Sequence, residues 1–250
     1  MTAALETTGL SKAFGDFLAV NEVAFAVQQG SRHALIGPNG AGKTTLVNLL
    51  TGVLPATAGT IRLDGEPVTA LAPHIRVGKG IARTFQVNQL FPDLTPLETV
   101  SLAVSERRGG GSRWWQRLGR DAGIVEEATE ILTRMRLADA MTTRTAVLPY
   151  GRQRLLEIAV ALACRPRVLL LDEPAAGVPE EERHEILEIV ASLPKDVTVL
   201  LIEHDMDLVF SFADRISVLV QGRLFAEGTP DEIARDARVR TVYLGEEAGG

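Results

Sequence analysis

Gly37-Pro38-Asn39-Gly40-Ala41-Gly42-Lys43-Thr44 has the spacing G-x-x-x-x-G-K-[ST], a pattern whose chemistry is phosphate binding. Glycines let successive backbone N–H groups turn into one anion-sized hollow, and the positive end of a following helix dipole faces that hollow. In such a loop Lys43 bridges the β- and γ-phosphates of a nucleotide, and the Thr44 hydroxyl is placed for Mg²⁺. A glycine turn with a solvated lysine is the plainer alternative, and the flanking pattern argues against it. RHALI before the loop reads as a buried strand, and KTTLVNLLTG after it reads as a helix closed by Gly52. A second chemical feature lies about 130 residues on, where Val168-Leu169-Leu170-Leu171 runs into Asp172-Glu173. Strand-end acids often only cap the next helix. Two in a row, in a chain that already carries a phosphate loop, suit a division of labour: Asp172 for the Mg²⁺ shell, Glu173 to orient or deprotonate an attacking water. The pattern implies a site that hydrolyses, or at least binds, a nucleoside triphosphate. A guanine reader of the form Asn-Lys-x-Asp is not formed by any of the four asparagines, Asn21, Asn39, Asn48 and Asn88.

These groups need a scaffold, and the pattern predicts one. VLLLDEP and VTVLLIEH are all-apolar runs separated by the helix-like EEERHEILEIVASL, the signature of a parallel sheet buried on both faces. RISVLVQGRLFAEG reads as a hairpin turning at Gln221-Gly222, and the opening third, including TIRLDGEPV, reads as strands and tight turns. Between about 95 and 165 the chain turns rich in helix formers, as in IVEEATEILTRMRLADAM and QRLLEIAVALA. The layout is an α/β nucleotide-binding core interrupted by a helical lobe. Composition agrees: 250 residues, 46% hydrophobic and 23% charged, suit a globular chain able to bury a core without disulfides or metal. The single cysteine, Cys164, forms no internal disulfide, and no run approaches the ~20 apolar residues of a membrane span. MTAALETTGL lacks the basic and apolar regions of a secretory signal. A net charge of −6 argues against coating nucleic acid.

Five segments in order carry a family resemblance: GPNGAGKTT, Gln86 in ARTFQ, LPYGRQ at 148–153, LLLDEP, and His204 in IEHDM. Together they make the chain resemble the ATPase subunits of ABC transporters over nearly its whole length. IARTFQ, LLLDEPAAG and VYLGEEA look most like the ATPases of branched-chain amino acid importers. The resemblance implies an α/β fold: a P-loop NTPase (RecA-like) core with an N-terminal antiparallel β subdomain and an inserted helical subdomain. The core would span about 1–94 and 166–250, and the helical part about 95–165. ATP and Mg²⁺ are the implied cofactors. Phe14 would stack on adenine, although the residue alone also fits a plain core position. Thr45 would support the α-phosphate. Gln86, by itself an ordinary strand-end polar residue, would sense Mg²⁺ and the γ-phosphate and act with Lys43, Glu173 and His204 in the reaction. Tyr150 and Gly151 would belong to a segment that reaches the nucleotide of a second subunit.

The departures from the family fall in that cross-subunit part. Where it has Leu-Ser-Gly-Gly-Gln, this chain has Leu148-Pro149-Tyr150-Gly151-Arg152. Pro149 supplies neither hydroxyl nor N–H, although it suits a helix start, and Gly151 keeps a backbone donor. Arg152 or Arg154 would add positive charge. After Glu173 the acid or amide expected a few residues on is replaced within Ala175-Ala176-Gly177-Val178-Pro179-Glu180. Residues 106–120 hold five arginines, two tryptophans and three consecutive glycines; Trp114 and Trp115 suit a half-wet boundary such as lipid headgroups or a membrane subunit, and a solvated loop is the plainer reading. The resemblance implies a peripheral subunit on the cytoplasmic face of the inner membrane. It would be bound to integral membrane subunits, dimeric with itself or a second ATPase, and served indirectly by a solute-binding protein. The rival readings are a soluble ABC machine and a weakly hydrolysing regulatory subunit, the latter motivated by Pro149 and Pro179.

Overall fold

The computed structural model describes residues 2–84, 90–109 and 121–247. Its first strands, β1 (Ala3–Phe14) and β2 (Phe17–Gln28), form a long antiparallel hairpin in which Phe14 lies opposite Phe17 at the tip. β3 (Arg32–Ile36) then leads through the glycine loop into α1 (Lys43–Thr51), which Gly52 closes in a left-handed conformation, as the sequence suggests. β4 (Ala58–Leu63) and β5 (Glu66–Pro67) complete the first sheet, in the order β2-β1-β4-β5, all antiparallel.

After α2 (Pro73–Lys79) and β6 (Ile81–Arg83), α3 (Pro96–Arg107), α4 (Ala122–Arg134) and α5 (Tyr150–Ala163) follow in succession. α3 opens with a reciprocal cap, Thr95 accepting from the Glu98 N–H while Glu98 accepts from the Thr95 N–H, and Pro96 occupies the first turn. Arg107, Arg108 and Arg165 converge on Glu127 of α4, and the hydrogen bond from Arg107 above all holds that carboxyl down near pKa 2. Two of the five arginines of the 106–120 stretch are therefore tied within the chain, while Trp114 and Trp115 lie outside the described residues.

The chain returns to the second sheet through β7 (Val168–Asp172), α6 (Glu180–Ala191), β8 (Thr198–Ile202), α7 (Met206–Phe212), β9 (Arg215–Val220) and β10 (Arg223–Gly228). It ends in α8 (Pro230–Arg235) and α9 (Ala237–Glu247). The order is β10-β9-β3-β8-β7-β6, parallel except for the expected β9–β10 hairpin at the edge. β3, β7 and β8 are buried at every position, and their period of two divides them between two cores. Leu35, Val168, Leu170, Leu200 and Ile202 pack toward α1 and the first sheet; Ala34, Ile36, Leu169, Leu171, Val199 and Leu201 pack toward α5, α6 and α7. The fold is α/β, and it gathers the C-terminal ends of β3, β8 and β7 along one edge, where Asp172, Ile202 and Leu35 stand in register.

One buried titratable group belongs to the scaffold. His33 of β3 is fully buried, its Nε2 2.8 Å from Ser217 Oγ and its ring edge-on to Phe25. Burial pulls its pKa from 6.5 to about 4, with Glu227 opposing and Arg215 adding to the fall. The unfolded chain therefore takes up this proton first as pH drops, and stability is lost as pH falls from 6.5 toward 4. We expect His33 to cost about 2 kcal/mol between pH 7.5 and pH 5. Urea unfolding at the two pH values should show a shallower fall for His33→Gln than for the parent; equal slopes would contradict the assignment.

Candidate active site

The phosphate loop runs from the buried end of β3 to the first turn of α1. Gly42, at the start of that helix, sits at φ 100°, and a Cβ there would overlap the Ala19 carbonyl oxygen of β2. Only glycine fits. The β9–β10 turn braces the loop from the other side, the Gly222 N–H donating to Ala41 O at 2.8 Å. Among the described residues no side chain caps α1, so its first-turn N–H groups face the hollow by default. Lys43 Nζ donates to the carbonyls of Gly37 and Pro38, which keeps the ammonium inside the loop.

A cavity of about 230 Å³ opens over this loop. Asn39, Gly40, Ala41, Gly42, Lys43, Thr44 and Thr45 line it on one side, and Glu173 lines it from the end of β7. Glu173 adopts a left-handed backbone at φ 47°, a conformation a non-glycine residue holds only against its own preference, and its N–H donates to Ile202 O at 2.9 Å. That bend turns the carboxylate away from the sheet toward the loop. His204, just past β8, places Nδ1 3.7 Å from Glu173 Oε1. Three segments far apart in sequence thus bring an anion cradle, an acid and an imidazole together.

Asp172 is buried, and its Oδ2 receives Arg83 Nη2 at 2.5 Å; Arg83 Nη1 also donates to Asn48 Oδ1 of α1 at 2.7 Å. The Thr44 hydroxyl and the Asp172 carboxylate are hard oxygen donors of the kind Mg²⁺ takes, and Arg83 approaches Asp172 at Oδ2. Gln86 lies outside the described residues. Phe14, half exposed with Lys12 Nζ 5.1 Å from its ring centroid, is not among the residues lining the cavity, whereas its hairpin partner Phe17 is.

Tyr150 and Gly151 open α5 behind Pro149; neither lines this cavity, and both lie against the segment that follows Glu173 and the start of α6. The Tyr150 ring packs on Gly177, which a Cβ would bring within 3.2 Å of Cε1, and Glu182 Oε2 crowds Gly151. Neither arginine of the segment brings loose charge to the helix start. Arg152 pairs with Asp139 at 2.8 Å, and Arg154 is buried against Glu157 at 2.7 Å and stacked over Tyr150 at 5.1 Å. The Arg154 guanidinium is part of the packing at this helix start.

Sequence reasoning missed three residues of this region. Arg83 sits in a three-residue strand with no pattern of its own. Phe17 is hidden by its nearness to Phe14. Glu203, almost fully buried beside His204, reads in IEHDM as an ordinary surface acid.

A parallel sheet whose strand ends bring a glycine phosphate loop against paired acids is the site of a P-loop nucleotide hydrolase. A family model described as ABC transporter matches residues 20–176, and one described as branched-chain amino acid ATP-binding cassette transporter matches 223–249. The chain belongs to the ABC transporter ATP-binding cassette family. It is 42% identical over 253 residues to the high-affinity branched-chain amino acid transport ATP-binding protein BraF of Pseudomonas aeruginosa, covering 97% of this chain and 98% of that one. It is 39% identical to LivG of Escherichia coli, a protein of the same description, over 97% and 98% of the two chains. Among solved structures, the ADP conformation of MJ1267, an ATP-binding cassette of an ABC transporter, superposes with a TM-score of 0.86 at 32% identity, covering 98% of this chain and all of the other. A nucleotide-free cassette from an ABC transporter gives 0.84, also at 32% identity and covering 97% of this chain and 99% of that one.

Proposed function

We propose that this chain is the ATP-hydrolysing subunit that powers an importer of branched-chain amino acids or a related small carboxylate. The observation that carries the reading is the cavity shared by the phosphate loop and Glu173, with His204 3.7 Å from that carboxylate. The names of BraF and LivG support the cargo class. Among the described residues no helix is long and apolar enough to cross a membrane, so the permeation path belongs to partner subunits. The chain then acts as a peripheral subunit on the cytoplasmic face of the inner membrane, and a solute-binding protein delivers cargo on the far side.

In this reading the loop N–H groups and Lys43 hold the β- and γ-phosphates, and Thr45 supports the α-phosphate. Glu173 takes the proton of a water whose oxygen attacks the γ-phosphorus as the bond to the β–γ bridging oxygen breaks, and His204 orients that water against the phosphoryl group. Thr44, Asp172 and Gln86 would hold Mg²⁺, which when bound neutralises charge on the phosphate oxygens. Adenine would rest on the hairpin tip, where Phe17 lines the cavity and Phe14 stands opposite it. Substituting each by alanine and titrating a fluorescent ATP analogue separates them; we expect Phe17→Ala to weaken binding several-fold, by the roughly 1 kcal/mol of a stacked ring. No change in either variant would remove the platform. The start of α5, with the Gly151 N–H and Tyr150, would face the nucleotide of a second copy or of a paired ATPase. Elements α3, α4 and α5, about residues 95–165, would form the helical subdomain that passes closure of such a dimer to the membrane subunits.

The test is reconstitution with candidate membrane subunits in lipid vesicles. Leucine with its binding protein should raise ATP hydrolysis severalfold, and the chain should stay on the vesicles only when those subunits are present. Membrane retention without them, or a rate indifferent to every branched-chain cargo, would overturn the importer reading.

A further inference from the structure

Glu203 occupies the last buried position between the two loops that carry Glu173 and His204. Its side chain is 2% exposed, a rare environment for an acid. Oε1 accepts the Ala175 N–H at 3.4 Å, two residues beyond Glu173. Oε2 accepts the His204 N–H at 3.2 Å and lies 3.7 Å from His204 Nδ1. The same Nδ1 is 3.7 Å from Glu173 Oε1, so one imidazole nitrogen stands between two carboxylates, one facing the cavity and one beneath it.

A buried acid is expensive, and an apolar residue would fill the end of β8 at less cost. Burial also pushes the Glu203 carboxyl above the usual carboxylate range, only partly offset by the two N–H donors. What the acid achieves is a connection. Each oxygen reaches a different loop, adding to the β7–β8 pairing, the Glu173 N–H on Ile202 and the approach of His204 to Glu173.

We infer that Glu203 is a positioning residue of the hydrolytic site, holding the His204 imidazole and the loop after Glu173 in one frame so that the histidine meets the reacting water correctly. This rests on the ATPase reading above. Glu203 touches neither nucleotide nor metal in that scheme, so removing it should change turnover and not affinity.

The experiment measures kcat, KM for ATP and thermal midpoint for the parent, Glu203→Ala, Glu203→Gln, His204→Ala and the double variant Glu203→Ala/His204→Ala. We expect Glu203→Ala to lower kcat roughly tenfold, the scale of a small misplacement, with KM within about twofold of the parent. Glu203→Gln keeps an acceptor for one of the two N–H groups but sets its NH₂ against the other, and should run faster than Glu203→Ala and slower than the parent. The double variant should be no slower than His204→Ala, because the acid acts through the histidine. Parent-like kcat in Glu203→Ala, a glutamine variant as slow as the alanine one, or multiplying losses in the double variant would each overturn the inference. A parent chain that does not hydrolyse ATP would overturn the ATPase reading and this inference with it, which the parent rate alone reveals.

Discussion

A Glu173→Gln variant should bind ATP as tightly as the parent and hydrolyse it at least about 100-fold more slowly, the contribution of a positioned general base. The separation of effects follows from the geometry. Nucleotide affinity resides in the Asn39–Thr45 wall of the cavity and in Lys43, while Glu173 enters from the opposite wall at the end of β7. Glutamine matches the carboxylate in shape, so the strained backbone at φ 47° and the bond from the residue 173 N–H to Ile202 survive. It cannot take a proton from water. Equilibrium binding of a fluorescent ATP analogue together with a phosphate-release assay makes the comparison. Turnover within tenfold of the parent would move the base elsewhere, with His204 the next candidate.

Arg83→Met should destabilise the protein by about 3 kcal/mol, a fall of roughly 6–12 °C in thermal midpoint for a chain of this size. Arg83 and Asp172 are 2.5 Å apart with side chains 11% and 6% exposed. Removing the guanidinium leaves a buried carboxylate without its cation and strips Asn48 of its donor. The discriminating control is Arg83→Met with Asp172→Asn, in which no unpaired charge remains. The double variant should regain more than about 1 kcal/mol over the single one. Strictly additive losses would mean that the pair contributes packing and not charge compensation.

The parts of this molecule legible in its sequence are those with a period or a fixed spacing. β3, β7 and β8 announce themselves because burial on both faces demands unbroken apolar runs, and the phosphate loop because a close backbone turn admits only glycine at Gly42. The β9–β10 hairpin follows from Gln221-Gly222. By contrast α2 is a seven-residue helix held by Arg76, whose buried guanidinium donates to the Leu49 and Leu50 carbonyls at the end of α1 and to Thr69 O. Nothing in PHIRVGK signals that, because it is a tertiary bond between segments 26 residues apart. The same holds at the site. Lys43, Asp172 and Glu173 are readable from local spacing, and His204 from the family likeness. Arg83, Phe17 and Glu203 become visible only when β6, the hairpin tip and the end of β8 converge. The segment Leu148–Arg152 shows the limit most clearly. Pro149 and Tyr150 look like defects in sequence, yet Tyr150 packs on Gly177, so the two departures from the family pattern meet in space.

That meeting bears on the proposed composite site, in which one chain's phosphate loop works with the α5 start of a second copy, a paired ATPase being the alternative partner. The most direct test is the rate of ATP hydrolysis by the purified chain over a hundredfold range of protein concentration. If two copies make composite sites despite Pro149, the rate rises faster than linearly with concentration until the dimer saturates. A rate strictly proportional to protein from the lowest concentration, with the chain monomeric throughout, would contradict it.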